Sequence, residues 1–257
     1  MGFAHRLEHA IAPLWAEFPG RVGFAAWDLD EREALLRGAR REVRAASTIK
    51  VLVMITALRA VRDGDLDLGS EIPLPAQRAG GAGVLRELSG VDRMTLGDLI
   101  TLMIVISDNA ATNAVIDTVG LPAIAGCAAD LGCTATKVER RLMDVRAPGR
   151  NTTCALDQAL ILDRLATGRA LPAGLTAHAL DVLSRQQIRD RLPAKLPGEA
   201  RCWNKTGEIS GSRHDVALIG DERPRAVVAV LVDELTGAEP VRDRIAALGL
   251  AVFRALG

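Results

Sequence analysis

The sequence predicts an α+β fold of two lobes: an antiparallel sheet with flanking helices, assembled from both ends of the chain, and an all-helical lobe inserted between them. Two observations carry this. The β-prone apolar runs fall near the termini, two behind a first helix and three ahead of a last one. The long stretch between them carries helical spacing.

Phe3, Leu7, Ile11, Leu14 and Trp15 recur every three or four residues, which predicts an amphipathic helix ending near Pro19-Gly20. Val22 to Leu29 and Ala34 to Arg41 follow as strands, joined by the polar Asp30-Glu31-Arg32-Glu33 in a hairpin. From Ser47 the texture turns helical, with Ser47 to Arg62, Thr95 to Ile106, Ala110 to Val119, Leu121 to Leu131, Thr153 to Ala166 and Ala173 to Gln187 as the elements. Strands return after Pro197-Gly198 as Arg201 to Lys205, Arg213 to Ile219 and Ala226 to Asp233, and Pro240 to Leu256 closes the chain as a helix. Residues 1–46 and 200–257 thus form the sheet lobe and residues 47–199 the helical lobe, intertwined as one unit, with the junction as the expected pocket. Gly80-Gly81-Ala82-Gly83 reads as a turn, being too isolated for a phosphate loop.

With 257 residues, 49% of them hydrophobic, the chain can bury a substantial core. Basic and acidic residues balance at 32 each, so no net field favours nucleic acid or an anionic membrane. A small molecule is the expected partner. No window reaches the 18 uncharged apolar residues of a spanning helix, and Met1 to Gly20, with its charged and histidine residues, has no uninterrupted apolar core of a signal peptide. A cytoplasmic, monomeric protein is the expectation. Cys127, Cys133, Cys154 and Cys202 lack paired metal-ligand spacing and read as free thiols, so neither a metal nor another cofactor is expected.

Only four of the 32 basic residues are lysines, at positions 50, 137, 195 and 205. Ser47-Thr48-Ile49-Lys50 heads a helical run, with Ser47 suited to its N-cap or first turn and Lys50 one turn along on the same face. A serine beside a desolvated amine is a nucleophile and base. Alone the pattern says little, since about one S-x-x-K arises by chance in a chain of this length. Two further motifs change its weight. Ser107-Asp108-Asn109 stands at a helix break, where Asp108 or Asn109 can cap the next helix, and Lys205-Thr206-Gly207 ends a strand before a turn. All three in this order arise in about one random chain in a thousand.

Through these motifs the chain resembles the serine β-lactamase and penicillin-binding family, class A branch. The resemblance extends to Thr95-Leu96-Gly97-Asp98-Leu99-Ile100 and to His214-Asp215-Val216-Ala217, and covers nearly the whole chain. It implies a fold with a sheet from both termini and an inserted helical lobe. It also implies roles: Ser47 attacks a carbonyl, Lys50 is the base with its pKa lowered by burial and by Lys205, and Ser107 relays the proton to the leaving group. Asn109 then binds a substrate amide and fixes Lys50, Thr206 binds a substrate carboxylate, and the backbone N–H groups of Ser47 and Glu208 hold the oxyanion, Gly207 allowing the close approach. Asp108 is structural, and His214 is a packed histidine.

The chain departs from the family in one loop. Class A enzymes carry E-x-x-L-N there, whose glutamate activates the deacylating water. Here Glu139 to Thr153 is shorter and lacks that segment, although Asn151-Thr152-Thr153 resembles its end. Glu208 also replaces the small residue usual after the lysine motif. Lys50, Asp144 or Glu208 would then activate the water, or another nucleophile would accept the acyl group. Three functions fit: a serine hydrolase acting on an ester, amide or lactam, including weak β-lactamase or esterase activity; an acyltransferase of a biosynthetic pathway; and an acyl-binding sensor without turnover.

Overall fold

A computed structural model describes residues 1–16, 18–237 and 240–257 of the chain. The elements run α1 (Phe3–Trp15), β1 (Arg21–Asp28), β2 (Ala34–Arg37), β3 (Val43–Arg44), α2 (Lys50–Asp63), β4 (Glu71–Pro73), β5 (Arg93–Thr95), α3 (Leu96–Val105), α4 (Asn109–Val119) and α5 (Leu121–Asp130). They continue with β6 (Thr152–Thr153), α6 (Ala155–Ala166), α7 (Ala173–Ser184), β7 (Arg201–Ile209), β8 (Ser212–Gly220), β9 (Pro224–Asp233) and α8 (Val241–Ala255).

The main sheet has the order β2-β1-β9-β8-β7, and every neighbouring pair is antiparallel. Its central strands are apolar almost without break because both faces are covered. Phe24, Ala26, Val228, Val230 and Ile219 pack with α1 and α8. Their alternating neighbours Ala25, Trp27, Val227, Ala229 and Leu218 pack into the helical lobe. The fold class read from the sequence is the one observed.

The structure adds two short ribbons to the expected elements: β4 with β5 inside residues 47–199, and β6 with β3, which ties Thr152–Thr153 to Val43–Arg44 just ahead of Ser47. Strands of two or three residues leave no alternating pattern to read. β7 also continues past Lys205 to Ile209, because pairing to β8 persists through Gly207↔His214 and Ile209↔Ser212. The lysine motif therefore lies inside an edge strand, and the turn is Ser210-Gly211, where Gly211 has φ +74°. All four cysteines are free, with Cys127, Cys154 and Cys202 buried. Among the described residues no single helix is long and apolar enough to cross a membrane; α4 and α5 pass such a test only as a pair bent by 86°.

The helix starts agree with their caps. Thr95 accepts from the Asp98 N–H and its hydroxyl donates back to the Asp98 carboxylate, while Asp108 accepts from the Ala111 N–H. Ser47 is different. It sits in a 3-10 turn, Ala46–Ile49, and caps nothing; α2 begins with Lys50. Ala46, just before it, has φ +47°, a left-handed conformation that costs a non-glycine residue of order 1 kcal/mol or more.

Candidate active site

The 3-10 turn, the N-terminus of α4 and the edge strand β7 meet at the junction of sheet and helical lobe. They bring Ser47, Lys50, Ser107, Asn109 and Lys205 together. Lys50 and Lys205 are both fully buried. The Lys50 Nζ donates toward the Ser107 carbonyl oxygen at 2.6 Å and the Asn109 Oδ1 at 2.9 Å, and lies 3.0 Å from the Ser107 Oγ. The Lys205 Nζ lies 3.0 Å from that same Oγ and donates to the Thr206 carbonyl at 2.9 Å. One hydroxyl is thus shared by two amines.

Ser107 reaches this position through a left-handed backbone, φ +60°, which turns both its carbonyl and its hydroxyl toward Lys50. The conformation is held from outside. The Asp108 carboxylate accepts the N–H groups of Val84 and Leu85 at 2.7 and 2.8 Å, the Asn109 N–H donates to the Ala82 carbonyl, and the Asn109 Nδ2 donates to the Gly80 carbonyl. Such close docking needs the glycines. A Cβ on Gly83, whose φ is +106°, would lie 2.2 Å from Asp108 Cγ, and one on Gly81 would lie 2.7 Å from Asn109 Nδ2. The glycine turn is therefore a brace for the serine motif, a role the sequence did not reveal.

Among the described residues no carboxylate bonds to the Lys50 amine. Burial drives its pKa well below the ordinary lysine value and the Lys205 charge adds to this, opposed by Asp108. Burial also pushes Lys205 down to about 7, against the attraction of Asp215 and with help from Arg191. Asp215, buried beneath the strand with its carboxylate held by the Leu192 N–H and the Asn204 amide, is itself raised by burial to about 6. Ser47, half-buried, has no hydrogen bond from its Oγ among the described residues and lines an adjoining cavity of about 870 Å³.

Gly207 brings β7 against the turn that carries Ser47: a Cβ there would stand 3.0 Å from Thr48 Cγ2 and 3.2 Å from Ala46 Cβ. Thr206 is buried beside it in β7. Glu208 lines the cavity, but its carboxylate is held by Arg191, Arg213 and Arg242. His214 is wholly buried; the Val232 N–H donates to its Nδ1, so its Nε2 carries the proton and donates to the Arg44 carbonyl at 2.9 Å. Burial lowers its pKa to about 4, and it works as a neutral tie between strands.

The structure does not bring Asp144 to the site. Its carboxylate accepts the Ala147 N–H in a local turn, the residue is exposed, and it is absent from the cavity wall to which Leu142, Met143 and Val145 contribute. Asn113 fixes that loop by accepting the Leu142 N–H and donating to the Leu142 carbonyl. Asn151 fixes its other end through Glu139 and Arg140. Sequence reasoning also passed over Arg191, which is buried and joins Glu208 to the His214 carbonyl. Nothing in its local pattern distinguishes it from the other arginines.

Residues 6–256 match the model of the beta-lactamase enzyme family. The chain is 33% identical to a beta-lactamase from Sphaerobacter thermophilus, with a TM-score of 0.87 over 100% of this chain and 97% of the other. It is 28% identical to an ancestral class A beta-lactamase, with a TM-score of 0.87 over 96% and 98% of the two chains. It is also 25% identical to a point mutant of PBP-A solved as an acyl-enzyme complex with penicillin G, with a TM-score of 0.89 over 99% and 97%. A match that runs nearly end to end, on a fold shared over nearly the full length of these neighbours, places this chain in the beta-lactamase enzyme family, with a serine-hydrolase-like function.

Proposed function

We propose that the protein cleaves an ester, amide or lactam through an acyl-Ser47 intermediate and that release of the acyl group is its slow step. The observation that carries the first half is the Ser107 hydroxyl, 3.0 Å from each of two buried amines, of which Lys50 has its pKa driven well below the ordinary lysine value by burial. Neutral Lys50 takes the Ser47 proton as the Oγ–carbon bond forms. The oxyanion is held by the backbone N–H groups of Ser47 and Glu208. Protonated Lys50 then returns a proton through Ser107 to the leaving nitrogen or oxygen as that bond breaks. Lys205 keeps Lys50 from holding its proton and, with Thr206, faces the leaving-group side. Attack of water on the ester returns the acid and free Ser47.

The slow release rests on the loop from Glu139 to Asn151. Its contribution to the cavity is apolar, through Leu142, Met143 and Val145, and guanidinium, through Arg140, Arg141 and Arg150. The cavity's single lining carboxylate, Glu208, is engaged by three arginines. This favours, as a second reading, transfer of the acyl group to an amine or alcohol in place of water.

The test is to mix the protein with a chromogenic cephalosporin or a p-nitrophenyl ester and follow product together with the intact mass. A burst with slow turnover and an accumulating adduct is expected. Acceleration by an added amine or alcohol, with its acyl product formed, would move the assignment to a transferase. A steady state without burst or adduct would contradict slow release.

A further inference from the structure

The cavity beside Ser47 is unevenly charged in a chain whose net charge is zero. Four arginines line it, at positions 44, 140, 141 and 150. Arg141 is paired with Asp117, 2.6 Å away. The other three have no carboxylate within ion-pair distance of their guanidiniums among the described residues. Arg44 donates to the Ser210 carbonyl at 2.5 Å and Arg140 to the Ala147 carbonyl at 3.2 Å, neutral acceptors that orient the groups without discharging them. Among the described residues the Arg150 side chain makes no hydrogen bond; Glu139 is nearby, but its carboxylate takes the Arg150 backbone N–H.

The protein stacks arginines on carboxylates elsewhere, three on Glu208 and three on the buried Asp163, and leaves Arg40, Arg146, Arg189, Arg201 and Arg254 without an ion pair among the described residues; what sets this group apart is that three such guanidiniums line the one cavity that Ser47 also lines. Three unneutralised guanidiniums around one concavity mark a place left for an anion, since bringing an anion there removes their mutual repulsion. Their positions say which part of the substrate bears it. Lys205, Thr206 and Ser107, to which the proposed chemistry gives the leaving group, do not line this cavity, whereas Arg44 reaches the β7–β8 turn at Ser210 and Arg140 and Arg150 belong to the 139–151 loop. The same cavity wall is apolar in part, through Leu142, Met143, Val145 and Ile209. Met143 and Val145 are 59% and 79% exposed, so an apolar chain has surface to cover there.

We infer that the acyl group delivered to Ser47 is a hydrocarbon chain ending in a carboxylate, so that the preferred donors are half-esters or half-amides of dicarboxylic acids. The arginines stand on separate elements, β3 and two points of the loop. This inference rests on the acyl-Ser47 reading and specifies its substrate class.

Two measurements separate the two ideas. Acylation rates are compared for mono-p-nitrophenyl glutarate, p-nitrophenyl butyrate and a trimethylammonium-terminated ester of similar length. A preference for the glutarate of about tenfold over the neutral ester is expected, with the cationic ester slowest. The ratio of glutarate to butyrate should collapse toward one at high salt and in Arg150→Glu, and shrink in Arg140→Gln. Equal rates, or a ratio insensitive to both substitutions, would overturn the inference while leaving the acyl-enzyme intact. Separately, Ser47→Ala protein is titrated with glutaranilic acid and with butyranilide, where no turnover enters. Tighter binding of the acid supports the anionic subsite even if every ester fails to acylate, an outcome that would defeat only the proposed chemistry. Equal binding of both would remove the subsite.

Discussion

At the scale of single residues, the site is defined by what surrounds Lys50. A buried amine with no carboxylate bonded to it is poorly placed to carry charge, and a second buried amine across one hydroxyl makes it worse. That cost lowers the Lys50 pKa and suits it to the base role proposed for it. Replacing Lys205 with glutamine removes one of the two influences lowering the Lys50 pKa, so that pKa must rise. The acid limb of the acylation rate, which reports loss of the Lys50 proton, should then move to higher pH. A pH profile of the acylation rate constant checks this; a limb that stays or moves to lower pH would contradict the role given to Lys205. Ser47, Lys50, Ser107, Asn109 and Lys205 were all legible in the sequence. The motifs are contiguous, and lysine is scarce enough for each copy to carry information. Arg191, the single Asp215 beneath β7 and the guanidinium cage on Glu208 were not, because each depends on a partner between seventeen and thirty-four residues away or on another strand.

At the scale of elements, the left-handed Ser107 persists because the turn containing Gly81 and Gly83 is bolted to Asp108 and Asn109. Gly83→Ala puts a methyl group 2.2 Å from Asp108 Cγ at φ +106°, and should cost about 1–3 kcal/mol while slowing acylation by displacing Ser107. Gly64 is the control. It has φ +82° at the end of α2 with nothing within 4 Å of an added Cβ, so Gly64→Ala carries the conformational cost alone and leaves acylation unchanged. Denaturant midpoints and acylation rates of the two variants make the comparison; equal losses in both would deny the turn its bracing role. The long elements were readable from their periodicity and caps. The turn's function and the two small ribbons were not, because tertiary contacts rather than local pattern select them.

At the scale of the whole molecule, the sheet and the helical lobe meet along the cavity, and the loop from Glu139 to Asn151 closes one side of it without bringing a free carboxylate to Ser47. The missing E-x-x-L-N segment was visible in the sequence, and the loop present in this chain lines the cavity with Leu142, Met143 and Val145. Leu142 is held rigidly by Asn113 on both its backbone groups, so Leu142→Glu introduces a carboxylate into the wall with little backbone freedom. It should speed acyl-enzyme breakdown by about tenfold or more, read as the decay of the adduct after rapid removal of free substrate. Unchanged decay would mean that the wall does not set the lifetime of the intermediate.

The central claim is that Ser47 is the atom acylated. Peptide mapping after a brief exposure to a chromogenic cephalosporin or an activated ester tests it most directly. The account predicts a stoichiometric adduct on the peptide containing Ser47, absent from Ser47→Ala and slowed in Lys50→Met by about a hundredfold or more. An adduct on any other residue, or an adduct that persists unchanged in Ser47→Ala, would contradict it.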